Sequence, residues 1–331
     1  MKQRNYSERN TLVFRCKKGT IMNVIETKNL TKFYGWSKGI EDLTLSVEKG
    51  DFFGFIGPNG AGKSTCIRTL LGLIRPTKGS ATVLGHDIVT GHDEILKSVG
   101  YLPSEINFYS GMKVKEAIRY SASLRKKDCS KAAAEYIERL DLDTEKKVDF
   151  LSLGNRKKAG IICAIQHRPE LLIMDEPTSG LDPLMQREFF KILEELNEQG
   201  TTIFLSSHIL SEVQAHCRTA AFIKDGRIII SDKVEKLEET GAKKVILKGA
   251  IGEKLTGELK RLNTDVKNKG EKAVEKRTED YVTDLKIETD FAAFLYNGDI
   301  SRLLTLLAAE KLRDVSITEP TMEEIFMNYY E

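Results

Sequence analysis

The sequence predicts an α/β protein with a mostly parallel sheet, a helical subdomain inserted in it, and a small α+β domain at the C-terminal end. Three observations predict it. Strand-length apolar runs such as "FFGFIG" (52–57), "ELLIMDE" (170–176) and "TTIFLSS" (201–207) alternate with helical stretches such as "MQREFFKILEEL" (185–196), the order of a parallel sheet with crossover helices. Between about 101 and 158 the pattern turns mainly helical. Beyond "EKLEETGAKK" (235–244) the pattern changes again, to short strands and one apolar helix face.

Taken in order, residues 1–21 are polar and basic with no apolar core, so they do not read as a secretory signal. The codons for Lys17-Lys18-Gly19 contain a purine-rich, ribosome-binding-like string just before the Met22 codon. Translation is therefore expected to start at Met22, the alternative being a short disordered extension. "VIETKNLTKFYG" and "IEDLTLSVEKGD" alternate as strands, the second closing on a Gly-Asp turn. "FFGFIG" reads as a buried strand. Ile67, Leu70, Leu71 and Ile74 then line one face of a helix that Pro76 and Gly79 are expected to end. "VKEAIRYSASLR" (114–125) and "KAAAEYIERL" (131–140) supply the helical lobe, and "ELLIMDE", "TTIFLSS" and "TAAFIKDGRIII" (219–230) are each a strand candidate.

In the last third, "KKVILKG" and "FAAFLYNGD" are strand-like, and Ile300, Leu303, Leu304 and Leu307 form a helix face. Thr321 and Glu324 make a capping box in "EPTMEEIFMNYY". The Lys/Glu-rich stretch 253–277 is expected to be exposed. The domain division is thus 1–21, then 22–238 with the helical subdomain at about 101–158, then 239–331.

The bulk numbers exclude some functions. The 331 residues are 40% apolar, enough for an ordinary core, and 30% charged with both signs mixed. A net charge of +2 and pI ≈ 8.1 argue against nucleic acid as a partner. No apolar run approaches the roughly 18 residues that cross a bilayer. Cys16, Cys66, Cys129, Cys163 and Cys217 are scattered without metal or disulfide spacing, and read as reduced thiols. His86, His92, His167 and His216 belong to no motif and are expected at the surface.

Two motifs carry chemistry. "GPNGAGKST" (57–65) fits G-x-x-x-x-G-K-[ST] between a predicted strand and a predicted helix. The glycines of the loop Gly57, Pro58, Asn59, Gly60, Ala61 and Gly62 let its backbone curl so that N–H groups face phosphate oxygens. Lys63 reaches the outer phosphates, the Ser64 hydroxyl binds Mg²⁺, and Thr65 reaches an inner phosphate. "LLIMDEP" (171–177) brings Asp175 to the C-terminal end of a buried strand, where ligands bind in open α/β sheets. Asp175 is expected to hold Mg²⁺ through water, and Glu176 to polarise the attacking water.

With these, "LSLGNRKK" (151–158), "SGLD" (179–182) and "SSHIL" (206–210) complete an ordered set. Over about 23–235 the chain resembles the ATP-binding-cassette ATPases. The resemblance implies a phosphate-loop ATPase core whose mostly parallel sheet is joined by an antiparallel N-terminal β-subdomain, with ATP and Mg²⁺ as cofactors. It implies that Ser152 and Gly154 of the signature stretch bind the γ-phosphate of ATP held by a second ATPase subunit, and that Asp182 bridges the dimer. Leu153 and Asn155 depart from the family pattern, and Leu153 adds bulk where a glycine is usual. The resemblance further implies adenine stacking by Tyr34, with Trp36 as the substitute, and a γ-phosphate contact from His208. Where the family has a glutamine that touches Mg²⁺, "YLPSEINFY" offers Ser104 or Glu105, and the sequence does not choose between them.

The chain most resembles the bacitracin- or lantibiotic-type branch, whose separate permease is of the ABC-2 kind. That implies a transport ATPase lying on the inner face of the cell membrane through its permease, which docks near 105–125. The rivals are a cassette acting on ribosomes or DNA and a regulatory ATPase gating a membrane partner. One cassette per chain argues against the first. So does the spacing of 89 positions from Lys63 to Ser152, which leaves room for a helical lobe but not a long coiled coil.

Overall fold

The computed structural model describes residues 22–238, 242–263, 280–308, 310–321 and 324. The expectation for residues 1–21 lies outside them. The element order begins β1 (Asn23–Tyr34), β2 (Ser37–Glu48), β3 (Phe52–Ile56), α1 (Lys63–Leu70), β4 (Lys78–Val83), β5 (His86–Asp87), α2 (His92–Ser98) and β6 (Val99–Leu102). The helical lobe holds α3 (Val114–Ser123) and α4 (Ser130–Arg139), and leads into α5 (Leu153–Ile165). Then come β7 (Leu171–Asp175), α6 (Pro183–Glu198), β8 (Thr202–Ser207), α7 (Leu210–His216), β9 (Thr219–Lys224), β10 (Arg227–Lys233) and α8 (Val234–Glu238).

Strands β1, β2, β4 and β5 form an antiparallel sheet in the order β2-β1-β4-β5. The main sheet runs β10-β9-β3-β8-β7-β6, parallel except for the β9–β10 pair at its edge. Alternation along its buried strands divides the core in two. Leu172, Met174, Ile203, Leu205 and Phe222 face one cluster, shared with the helical lobe, α5 and α6. Leu171, Ile173, Phe53, Phe55 and Phe204 face the other, shared with α1 and the antiparallel sheet. Phe204 is fully buried and stacks on Phe53 with ring centroids 5.4 Å apart.

Three details differ from expectation. The helix of 63–70 stops before Pro76: Gly72 at φ 68 lets its N–H reach Thr69 O and that of Leu73 reach Arg68 O, a Schellman closure. "TAAFIKDGRIII" is two strands, because Asp225 and Gly226 both take positive φ (49° and 77°) and turn β9 back into β10. His167 is buried, not at the surface. It contacts the Arg125 guanidinium, and burial, followed by the nearby Arg125 and Lys127 charges, pushes its imidazole down to about 3. The four described cysteines are unpaired thiols.

The C-terminal residues form β11 (Ala242–Gly249), α9 (Glu253–Leu262), β12 (Tyr281–Glu288), β13 (Phe291–Asn297), α10 (Ile300–Leu307) and β14 (Leu312–Thr318). The antiparallel order β12-β13-β11-β14 is that of a split β-α-β, ferredoxin-like unit with a hydrophobic cluster of its own. Part of the stretch expected to be exposed is therefore amphipathic: Leu255 and Leu259 are buried under α9, while 264–277 falls outside the described residues. The Thr321–Glu324 box is formed, with Glu324 N donating to Thr321 Oγ1 at 3.3 Å and Thr321 N to Glu324 Oε2 at 3.0 Å.

Truncating Phe204 to alanine removes a ring from the centre of one cluster. Phe204→Ala should cost about 3–5 kcal/mol of unfolding free energy in urea titration. Trp36→Ala, at a fully exposed position, should stay within about 0.5 kcal/mol of the parent.

Candidate active site

Strands β3, β8 and β7 lie side by side and parallel, so their C-terminal ends open at one edge of the sheet. The register places Ile56 beside Ser207 and Asp175 beside Ser206. The phosphate loop, the Asp175-Glu176 pair and His208 are therefore neighbours in space although they are far apart in sequence.

A cleft of about 460 Å³ is lined by Tyr34, Lys38, Gly39, Pro58, Asn59, Gly60, Gly62, Lys63, Ser64, Thr65, Ser104 and Glu176. Gly62 enters α1 at φ 105, and a Cβ there would stand 2.4 Å from Gly39 O, so no other residue fits without moving the loop. The start of α1 has no side-chain cap and no acidic residue in its first turn. Its free N–H groups and positive dipole end suit an anion. Gly57 and Ala61 shape the loop from behind: Gly57 O accepts from Lys63, and Ala61 O accepts from Gly226 N.

Lys63 is 6% exposed. Its ammonium donates to Gly57 O at 2.6 Å and to Pro58 O at 3.2 Å, and lies 3.1 Å from Glu176 Oε1. That last contact is a charge pair without hydrogen-bond geometry. The other Glu176 oxygen, Oε2, is 2.7 Å from His208 Nδ1. Asp175 is buried; its Oδ1 accepts from Ser206 Oγ at 2.7 Å, while Oδ2 has no protein hydrogen-bond partner. A buried orphan carboxylate oxygen beside the Glu176 that lines the cleft fits a hydrated divalent cation near a polyphosphate. Glu176 itself sits at φ 49, with its N–H donating to Ser206 O and near Ser206 Oγ, both at 3.2 Å. The arrangement can hold a phosphate chain against N–H groups and an ammonium while a carboxylate polarises a water.

The structure separates some candidates. Ser104 lines the cleft, whereas Glu105 is exposed outside it. Tyr34 lines the cleft with Lys32 Nζ 5.2 Å from its ring centre, and Trp36 stands clear of it. Ser152, Gly154 and Asp182 are not in the cleft of their own chain. Ser152 caps α5, its Oγ accepting from Asn155 N at 3.3 Å, and Asp182 caps α6 through Leu184 N and Met185 N, both at 3.0 Å. Gly154 lies against the "SGLD" loop, where a Cβ would stand 2.9 Å from Gly180 O.

Sequence reasoning missed Lys38, Gly39, Ser206 and Lys157. A serine pair at the end of an apolar strand was a signal for Ser206. For Lys157 the signal was a lysine on a face that the following Gly-Ile-Ile-Cys-Ala-Ile run buries.

The ABC transporter family model matches residues 40–179. The chain is 38% identical over 223 residues to the bacitracin transport ATP-binding protein BcrA of Bacillus licheniformis, covering 66% of this chain and 73% of that one. It is 30% identical over 318 residues to the linearmycin resistance ATP-binding protein LnrL of Bacillus subtilis, covering 92% of this chain and 97% of that one. A solved ATP-binding subunit of an ABC transporter superposes with a TM-score of 0.62 at 27% identity, over 65% of this chain and 92% of the other. With a phosphate loop, an Asp-Glu strand end and a histidine gathered at one sheet edge, and with these relatives, the chain belongs to the ATP-binding subunits of ABC transporters, in the branch of the bacitracin transport ATPases.

Proposed function

We propose that this chain hydrolyses ATP with Mg²⁺ to drive a separate membrane permease that exports a drug, peptide antibiotic or other amphipathic substrate. The observation that carries the reading is the convergence of Lys63, Glu176 and His208 beside the orphan Asp175 oxygen. The antibiotic-related names of two relatives support the export branch. Residues 22–238 are the ATP-binding domain in this reading, and 239–331 an accessory domain. No helix among the described residues is long and apolar enough to cross a membrane. The subunit would lie on the cytoplasmic face through its permease. Tyr109 and Tyr120, exposed and packed edge to face at 5.8 Å, offer the permease an aromatic surface on the helical lobe.

In the mechanism, Tyr34 stacks on the adenine and the 57–65 backbone binds the phosphates. Lys63 neutralises the outer phosphates. Glu176, oriented by His208, takes the proton of the attacking water. Ser64 and Asp175 would hold Mg²⁺, with Ser104 at the rim, and the ion would supply charge stabilisation to the leaving phosphate. Ser152 and Gly154, turned away from their own cleft at an α5 N-terminus, bind the γ-phosphate held by a second copy of the chain, and Asp182 lies at that interface.

Three experiments test the reading. Glu176→Gln should keep ATP affinity, lower phosphate release by about 10²–10⁴-fold, and accumulate an ATP-bound dimer in size-exclusion chromatography. Release at the parent rate would remove Glu176 from its role. Ser104→Ala should raise the Mg²⁺ concentration for half-maximal hydrolysis and Glu105→Ala should not, because Ser104 alone of the two reaches the cleft. The reverse order would place the metal contact at Glu105.

The last experiment concerns sharing across the dimer. Ser152→Arg and Lys63→Ala homodimers should each be inactive, since every site carries one defect. A mixed dimer has one site with intact Lys63 from one chain and intact Ser152 from the other. Co-expressing the two tagged forms with the permease should therefore restore part of the ATPase activity in the doubly tagged fraction. Full activity of the Ser152→Arg homodimer would show that the signature stretch does not bind nucleotide.

A further inference from the structure

Lys157 lies within α5 and is 2% exposed, yet it carries an ammonium group. That group donates to two backbone carbonyls from separate segments, Ser104 O and Glu176 O, each at 3.1 Å. Three residues further along the same helix, Gly160 lets the 102–106 segment pack closely. A Cβ there would stand 2.4 Å from Ile106 Cδ1 and 3.0 Å from Leu102 Cδ1. Helix α5 thus grips residues 102–106 at two points one turn apart, and at the first it also reaches the catalytic carboxylate's own peptide.

Glu176 occupies the left-handed region at φ 49, which a residue with a side chain adopts only where its surroundings hold it. Its N–H is fixed by Ser206 O and its C=O by Lys157. Burial pushes the Lys157 ammonium down in pKa, and the Asp175 and Glu176 carboxylates draw it back up.

We infer that Lys157 is a positioning residue for hydrolysis: it holds the Glu176 main chain in the conformation that aims the carboxylate at Lys63 and His208, and ties that conformation to the segment bearing Ser104. The inference rests on the proposed role of Glu176 and adds a second element to it. Displacement of the 102–106 segment pulls on the same ammonium that fixes the Glu176 carbonyl. The chain runs on from that segment to the exposed Tyr109, so a protein docked there acts on the catalytic carboxylate through one buried side chain. The contact needs two N–H donors at the end of a long chain. Glutamine can supply two and methionine none.

The test uses the full chain with Lys157→Met and Lys157→Gln, read by steady-state kinetics, fluorescent ATP-analogue binding and hydrogen exchange of the nucleotide-free protein. Lys157→Met should lower kcat about tenfold or more with KM and nucleotide Kd within about threefold of the parent, and Lys157→Gln should recover kcat to within about threefold. In the methionine variant faster exchange should be confined to peptides covering 102–106 and 175–178, and glutamine should reverse it. Parent kcat in Lys157→Met overturns the inference. So does exchange rising throughout the protein with binding lost in parallel, which marks a core residue only, and so does a glutamine variant as impaired as methionine. Glu176→Gln run alongside separates the two readings: if it abolishes turnover while Lys157→Met does not, the inference fails and the proposed function stands.

Discussion

Two adjacent carboxylates at the end of a buried strand are the constraint on which the rest of the molecule depends. Asp175 is 1% exposed, and Glu176 is mostly covered in a strained backbone conformation. Desolvated charges of one sign are costly unless cations and hydrogen-bond donors meet them. The chain meets them from three directions. Lys63 reaches the Glu176 carboxylate from the phosphate loop, Ser206 the Asp175 carboxylate from the neighbouring strand, and Lys157 the Glu176 main-chain carbonyl from α5. The left-handed residue costs about 1–3 kcal/mol, offset by the hydrogen bonds to both ends of its peptide. Both ends of the Glu176 residue are thus held by hydrogen bonds, and one carboxylate oxygen of Asp175 has no protein partner.

The sheet's alternation makes this arrangement possible. Odd and even residues of β7 belong to different clusters, one shared with the helical lobe and one with the antiparallel sheet. The strand end is therefore clamped from both faces, with the lobe packed against one of them. Arg139 adds a polar tie between lobe and core. Its Nε donates to Glu188 at 2.6 Å and its Nη2 to Glu195 at 3.0 Å, both on α6, the helix that Asp182 caps. Arg139 thus ties the lobe to α6.

Helix α5 joins two functions in the proposed dimer. Its N-terminus presents Ser152 at the surface for the nucleotide of a second copy, while Lys157, five residues later, points inward to the Glu176 peptide of its own chain. Leu153 lies between, exposed beside Gly180, where a Cβ would stand 2.8 Å from the leucine Cγ. The bulk that departs from the family glycine therefore touches the neighbouring loop of the same chain.

The α/β class, the phosphate loop, the Asp-Glu strand end and the histidine are all legible in the order of the amino acids. Each depends on consecutive residues in a local context: a glycine curl between strand and helix, or a carboxylate closing an apolar run. The sequence also carried the signature stretch, legible through its order and spacing relative to the others. Local turn chemistry sets the boundaries, since Asp225-Gly226 divides 219–230 into two strands and Gly72 ends α1 before Pro76. Choices between neighbours were beyond the sequence. Ser104 over Glu105 depends on which side chain the fold turns toward the cleft. Ser206 behind Asp175 and Lys157 behind Glu176 come from the folded chain alone. Their partners lie 31 and 19 positions away in sequence, and strand register and helix packing alone bring them within hydrogen-bond reach.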